Sequence, residues 1–296
     1  MKVKAPAKIN LMLDILRKLD NGYHSLFMVM QAIDLFDEVE VNKNTLDKIS
    51  IFCDNSNVPC NEKNIAYRCA IAFFDYCNIE DRGIDIKIKK NIPMEAGLAG
   101  GSADGAAVLY CLNKIYKTNL SMQELCSVGV KVGADIPFSL TGGTAVVMGT
   151  GSIIAPVKLD KDYKILIVKP EQNISTPLAY SKYDELNWVR HIDRVAVIEA
   201  TENHNYDEFV KLCGNVFEQA VEVPSRPHIK TTMRDGGSDA CCMSGSGPSI
   251  FGLFSDKDAC NTCYNKLIKN YKNVYSCSPY NYGITEILEE NNQWYL

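Results

Sequence analysis

Pro93-Met94-Glu95-Ala96-Gly97-Leu98-Ala99-Gly100-Gly101-Ser102-Ala103-Asp104-Gly105-Ala106-Ala107 is the stretch on which the rest of the chain turns. Ten of the fourteen residues from Met94 to Ala107 are Gly, Ala or Ser. It follows Ile84-Asp85-Ile86-Lys87-Ile88, whose alternation predicts a strand, and runs into a helical pattern from about Ser102 to Tyr116. Glycines let successive backbone N–H groups turn toward one point, and a helix N-terminus adds partial positive charge there. A strand-to-helix junction of this kind predicts a phosphate cradle, with the Ser102 hydroxyl available to a phosphate oxygen or a magnesium ion. A tight packing turn would account for one or two glycines; Gly97, Gly100 and Gly101 within five positions favour the cradle. No Lys-Ser or Lys-Thr follows the last glycine and the spacing is not Gly-x-Gly-x-x-Gly, which disfavours P-loop kinases and dinucleotide-binding Rossmann units.

Around this loop the chain has the balance of an ordinary folded protein. Its 296 residues are 46% hydrophobic and 23% charged, enough for two domains or one two-lobed unit and unlike a disordered chain. A formal net charge of −5 gives no electrostatic footprint for nucleic acid or an anionic membrane surface. No window is apolar enough for a transmembrane helix, and Met1-Lys2-Val3-Lys4-Ala5-Pro6-Ala7-Lys8 does not read as a signal peptide, so a cytoplasmic setting is expected. In that setting the twelve cysteines stay reduced and pack as small hydrophobes. Cys260-Asn261-Thr262-Cys263 is a lone C-x-x-C without a second pair, and no metal site is assigned to it.

Before the loop, Ile9, Leu11, Leu13 and Ile15 alternate with Asn10, Met12 and Asp14, and strands are also expected over 38–41 and 49–53. Asn64 is placed to cap a helix through Ile65, Cys69, Ala72 and Phe73, and Ser121-Met122-Gln123-Glu124 is a capping box. Strands follow over 145–148 and 165–168. Helical patterns occupy 176–184, 190–201 and 206–221, and the strands 241–243 and 250–254 flank a second glycine turn before a helix near 256–270. The irregular alternation predicts an α+β fold with antiparallel pairing. A boundary near residue 160 divides it into lobes 1–160 and 161–296.

Five segments in order along the chain make a recognisable set. Ala5-Pro6-Ala7-Lys8-Ile9-Asn10-Leu11, the glycine loop and Met243-Ser244-Gly245-Ser246-Gly247-Pro248-Ser249 resemble the motifs of the GHMP kinases. Asp20-Asn21-Gly22-Tyr23-His24-Ser25-Leu26, together with Gly133-Ala134-Asp135-Ile136-Pro137-Phe138, is similar to the branch that phosphorylates the 2-hydroxyl of a CDP-linked methylerythritol in non-mevalonate isoprenoid synthesis. The resemblance spans about Lys2 to Phe254. It implies a two-lobed fold with the active site between the lobes, and a monomer or homodimer. Two positions depart from the pattern: Ala103 stands where many members have a second Ser, and Gly105 where Ala is usual, at a propensity cost of about 0.5–1 kcal/mol.

The resemblance also implies roles. ATP with Mg²⁺ would lie along Pro93–Ala103, Asp135 would act as general base, and Lys8 would be its cationic partner. Tyr23 and His24, presented outward by the Asn21-Gly22 turn, would stack on and hydrogen-bond the pyrimidine, with Tyr180 as a second ring. Asn10 would bind the erythritol part or orient Lys8, and Gly245 and Gly247 would close the phosphate region. Ser102 and Glu95 are candidates to meet Mg²⁺. Two alternatives stay open: another GHMP small-molecule kinase, of homoserine or mevalonate type, and a non-catalytic GHMP-fold binding protein. Neither nucleic acid nor membrane is an expected partner.

Overall fold

The computed structural model describes residues 1–288; the last eight positions of the expected second lobe lie outside the described residues. The chain runs β1 (Lys2–Lys18), β2 (His24–Lys43), β3 (Ile49–Cys53), α1 (Ile65–Cys77), β4 (Ile84–Lys89), α2 (Gly100–Ile115), α3 (Met122–Gly129), α4 (Ile136–Thr141), β5 (Thr144–Gly149) and β6 (Ile153–Pro156). It continues through β7 (Lys164–Lys169), α5 (Thr176–Asp184), α6 (Arg194–Glu202), α7 (Tyr206–Leu212), β8 (Gly214–Asn215), α8 (Arg226–Asp235), β9 (Ala240–Met243), β10 (Ile250–Phe254), α9 (Lys257–Leu267), β11 (Asn273–Cys277) and β12 (Thr285–Glu286). The first sheet has the order β12-β1-β2-β4-β3, with β5 and β6 extending from β2 and β8 parallel to β1. The second is the antiparallel sheet β11-β7-β10-β9, with α8 and α9 against it. This is the two-lobed α+β architecture the element pattern predicted.

β1 differs from its expected form in a way that matters to the site. Simple alternation would leave Asn10, Met12 and Asp14 on a polar face, yet all three are buried. The register with β2 shifts between Asn10 and Met12. A bulge adds one residue and turns the following side chains to the opposite face. Ile9 and Leu11 accordingly join the core under α1 and α2, whereas Leu13 and Ile15 join the core shared with the second lobe.

Local rules account for most helix ends. The Asn64 side chain accepts from Ala66 N, and Ser121 and Glu124 make both bonds of their capping box. The pattern over 206–221 is not one helix. α7 ends at Leu212, Gly214 and Asn215 pair with Met12 and Leu13 of β1, and only a 3₁₀ turn over Val216–Gln219 follows. Asn215 explains the break, since its side chain caps Phe217 N and donates to the carbonyls of Met243 and Gly245, both at 2.8 Å. A residue committed to three tertiary bonds cannot continue a helix.

All twelve cysteines are free. Burial pushes the Cys263 thiol up to about 11 and raises Cys260 as well, so the C-x-x-C pair favours the protonated, packing form. No helix among the described residues is long and apolar enough to cross a membrane.

Candidate active site

One cleft of about 1250 Å³ gathers the site residues from both halves of the chain. β1 contributes the first two. Ala7 and Ile9 face the core, so the period of two puts Lys8 and Asn10 on the other side. Lys8 is not the exposed strand lysine that its neighbours allow; its side chain is 6% exposed. Its Nζ donates to Asn10 Oδ1 at 2.6 Å and lies 3.6 Å from Asp135 Oδ2. Asp135 stands at the N-cap position of α4 but caps nothing with its side chain, which is 33% exposed. A carboxylate free of capping and open to a cleft can accept a proton from a ligand.

The two glycine turns touch. The Ser244 hydroxyl donates to Gly97 O at 2.9 Å and accepts from Asn10 N at 3.1 Å, tying the first loop, the second turn and β1 at one point. Gly97 must be glycine here: its φ is +73°, and a Cβ would sit 2.1 Å from Ser244 O. Lys8 N also donates to Leu98 O at 3.1 Å, which clips the loop to the strand that carries the lysine. Gly245 follows Ser244 into the cleft wall, and Gly247 supports the turn with φ +84°. Ser246 shares a 3.1 Å hydroxyl contact with Thr176.

α2 begins from Ala99 in the left-handed conformation, and Ala103 N→Ala99 O is its first backbone bond. Among the described residues, the amides of Gly100, Gly101 and Ser102 find no partner, which is the arrangement that receives a phosphate. Most of the loop residues line the cleft, Ser102 and Glu95 included. Leu98 and Ala103 are instead turned into the core, and Ala103 spends its amide inside the helix. The second hydroxyl that Ala103 lacks would therefore have faced packed side chains.

At the other end the Asn21-Gly22 turn does not present both rings outward. Tyr23 is 67% exposed, but His24 opens β2 and is only 8% exposed. Tyr180 is brought to His24, with ring centroids 4.7 Å apart in a stacked pair, and meets Phe217 edge-on behind. His24 Nε2 lies 2.8 Å from Asp184 Oδ1, and Lys18 holds the other carboxylate oxygen.

Sequence reasoning missed a sealed charge cluster at the glycine-loop end of the cleft. Lys90 Nζ bonds both Asp37 and Asp104, and all three side chains are essentially out of solvent. Asp37 also accepts from Asn91 N at 2.7 Å and Ile92 N at 2.8 Å, fixing the turn before the loop. Burial pushes the Asp104 carboxyl up to about 7 against the pull of Lys90. Burial also works against the Lys90 charge, but the two carboxylates outweigh it and raise its pKa. Asp104 lay in the quoted loop; Asp37 and Lys90 gave no signal, because each reads as a surface residue of a strand end. Asp184 was findable, four residues after Tyr180 and so on the same helix face.

Comparison with known proteins fits this arrangement. Residues 64–143 match the family described as GHMP kinases N terminal domain, and residues 197–273 match GHMP kinases C terminal. A 4-diphosphocytidyl-2-C-methyl-D-erythritol kinase of Clostridium tetani is 42% identical over 278 residues, covering 93% of this chain and 98% of its own. The chain belongs to this kinase family within the GHMP kinases. The same enzyme of Clostridium perfringens is 39% identical across 99% of this chain and 100% of its own. A crystal structure of 4-(cytidine 5'-diphospho)-2C-methyl-D-erythritol kinase superposes with a TM-score of 0.75 at 27% identity, covering 94% and 98% of the two chains. Homoserine kinase from Cytophaga hutchinsonii shares the fold, with a TM-score of 0.79 at 20% identity over 96% of each chain. As a GHMP kinase, the protein is a small-molecule phosphotransferase.

Proposed function

We propose that this kinase transfers the γ-phosphoryl group of ATP to the 2-hydroxyl of 4-(cytidine 5'-diphospho)-2-C-methyl-D-erythritol, a step of non-mevalonate isoprenoid precursor synthesis. The observation that carries the reading is the Lys8–Asp135 pair at 3.6 Å, in a cleft lined also by the start of α2 and by the rings of Tyr23, His24 and Tyr180. ATP phosphates lie on the amides of Gly100–Ser102, and the cytidine lies against Tyr23 and His24. The acceptor hydroxyl attacks the γ-phosphorus in line and the bond to the β-phosphate oxygen breaks. The hydroxyl proton passes to Asp135, and ADP departs. Lys8 offsets the charge on the phosphoryl oxygens and is itself aligned by Asn10. The base of ATP has room beside Val58, Pro59, Lys63, Asn64 and Ile65.

Mg²⁺ bound to nucleotide phosphates keeps several waters and needs only one or two protein oxygens. Ser102 and Glu95, both in the cleft wall, fit that demand; the described residues hold no cluster of three or more His, Cys, Asp or Glu side chains for an all-protein cage. The ion would neutralise phosphate charge. We take the lobes to divide near residue 160. A cytoplasmic setting suits twelve free thiols. The test is ATP consumption with CDP-linked methylerythritol, homoserine and mevalonate, with phosphorus NMR locating the new ester. Turnover with the CDP-linked acceptor alone, at its 2-hydroxyl, is expected. Turnover with homoserine or mevalonate instead would move the chain to another substrate, and ATP binding without transfer would make it a binding protein.

A further inference from the structure

Asp184 has no part in the transfer, yet it is set against the residue that would meet the base. Tyr180, Tyr183 and Asp184 share one face of α5, and His24 contacts all three: stacked on Tyr180, edge-on to Tyr183 at 6.3 Å, and 2.8 Å from Asp184 through Nε2. Lys18 and His24 are paired across β1 and β2, so both groups that grip Asp184 come from one hairpin end. The Lys18 bond first, then the His24 bond, holds the Asp184 carboxyl below the ordinary carboxylate range. An ionised carboxylate only accepts, so Nε2 carries a proton, and of the two neutral tautomers this contact selects the one whose lone pair is on Nδ1. Among the described residues no hydrogen bond reaches Nδ1, and it is not one of the buried polar atoms sealed without a partner. It is left open to the cleft that His24 lines.

We propose that Asp184, backed by Lys18, is a positioning residue that holds His24 in the Nε2–H form, so that Nδ1 is a fixed acceptor selecting a cytosine-type base by its exocyclic amino group. This rests on the reading that the acceptor's base lies against Tyr23 and His24. Cytosine offers an N–H donor at its 4-position, where uracil offers an oxygen. A fixed lone pair is satisfied by the first and opposed by the second, and a nearly buried site cannot compensate with water. Asp184 thereby sets specificity without touching the reacting atoms.

The experiment compares wild type, Asp184→Asn and Asp184→Glu on CDP-linked and UDP-linked methylerythritol, with nitrogen-15 NMR reading which His24 nitrogen is protonated. Wild type should prefer the CDP-linked acceptor by roughly 5–150-fold in kcat/KM, the cost of leaving one buried polar group unsatisfied. Asp184→Asn can offer its amide N–H to Nε2 and so move the ring proton to Nδ1. KM for the CDP-linked acceptor should then rise roughly 10–100-fold with kcat within a few-fold, and the preference should collapse. Asp184→Glu, which keeps the carboxylate, should recover most of the preference. If Asp184→Asn retains both the preference and a protonated Nε2, the proposal is overturned while base recognition stands. If the wild type itself accepts both bases equally, base recognition fails and the proposal falls with it.

Discussion

Two lysines in the wall of one cleft are held in opposite ways. Lys90 is locked between Asp37 and Asp104, all three nearly out of solvent, and Asp104 Oδ1 is left buried without a partner. Lys8 is as buried, but its carboxylate is not: Asp135 stands off at 3.6 Å, beyond a tight ion pair, and opens to the cleft. Both groups set a buried lysine against aspartate, two carboxylates in one and one in the other, and what separates them is access. A sealed pair fixes backbone, here the turn at Asn91 and Ile92 that launches the glycine loop. A loose pair with one open oxygen can exchange a proton and meet a phosphoryl group. Charge clusters in a cleft are therefore told apart by whether the carboxylate keeps an unused, solvent-reaching oxygen.

The largest effect should fall on the open pair. Asp135→Asn keeps shape and removes the proposed base, so kcat should drop by about 10²–10⁴ with little change in ATP affinity. Because the side chain caps no helix, the melting temperature should stay near wild type. Near-normal turnover in the folded variant would take Asp135 out of the chemistry. On the sealed side the ranking reverses. Lys90→Met leaves two carboxylates buried without a cation, which should cost about 3–5 kcal/mol of stability, read from urea denaturation. A variant as stable as wild type would show that the cluster is not what anchors the loop.

A smaller effect is expected at the acceptor end. Tyr23 is exposed and supports nothing in the core, so Tyr23→Ala should weaken only the CDP-linked acceptor, by roughly 5–150-fold for one lost stacking contact. Tyr23→Phe should cost far less, and equal losses in both variants would point to the hydroxyl rather than the ring face. Smallest is Gly105→Ala. Propensity favours alanine by about 0.5–1 kcal/mol, but the new Cβ would stand 2.7 Å from Cys69 Sγ and 2.9 Å from Ile65 Cγ2. A net loss of about 1 kcal/mol is expected, relieved by adding Cys69→Ala. A stabilised single variant would mean that α1 yields easily.

The same contrast marks what the sequence could tell. The glycine loop, the Asn64 cap, the capping box and the strand pair around the second glycine turn were legible because each depends on backbone chemistry spelled by neighbours. That Lys8 and Asp135 come together was suggested only by an ordered set of motifs, since an isolated strand lysine and an Asp after Gly-Ala carry no local signal. The Lys90 cluster was not legible: its three members are far apart in sequence and meet only through the sheet. The bulge at Leu11 and the break of the 206–221 pattern were hidden for a related reason, as tertiary pairing overrode an apparently regular period. Gly105 belongs with them, because Cys69 across the helix pair explains a departure that propensity alone makes costly.

The most direct test of the account gives the wild-type enzyme, with ATP and Mg²⁺, either the CDP-linked methylerythritol or the bare methylerythritol phosphate. On the proposed reading the chemistry at Lys8 and Asp135 is identical for both, and only the cytidine handle at Tyr23 and His24 differs. For the bare phosphate kcat/KM should fall by at least the roughly 5–150-fold expected from losing one stacked base, and further for each lost hydrogen bond. Equal phosphorylation of the two would contradict it, leaving a GHMP kinase whose cleft does not read a nucleotide on its acceptor.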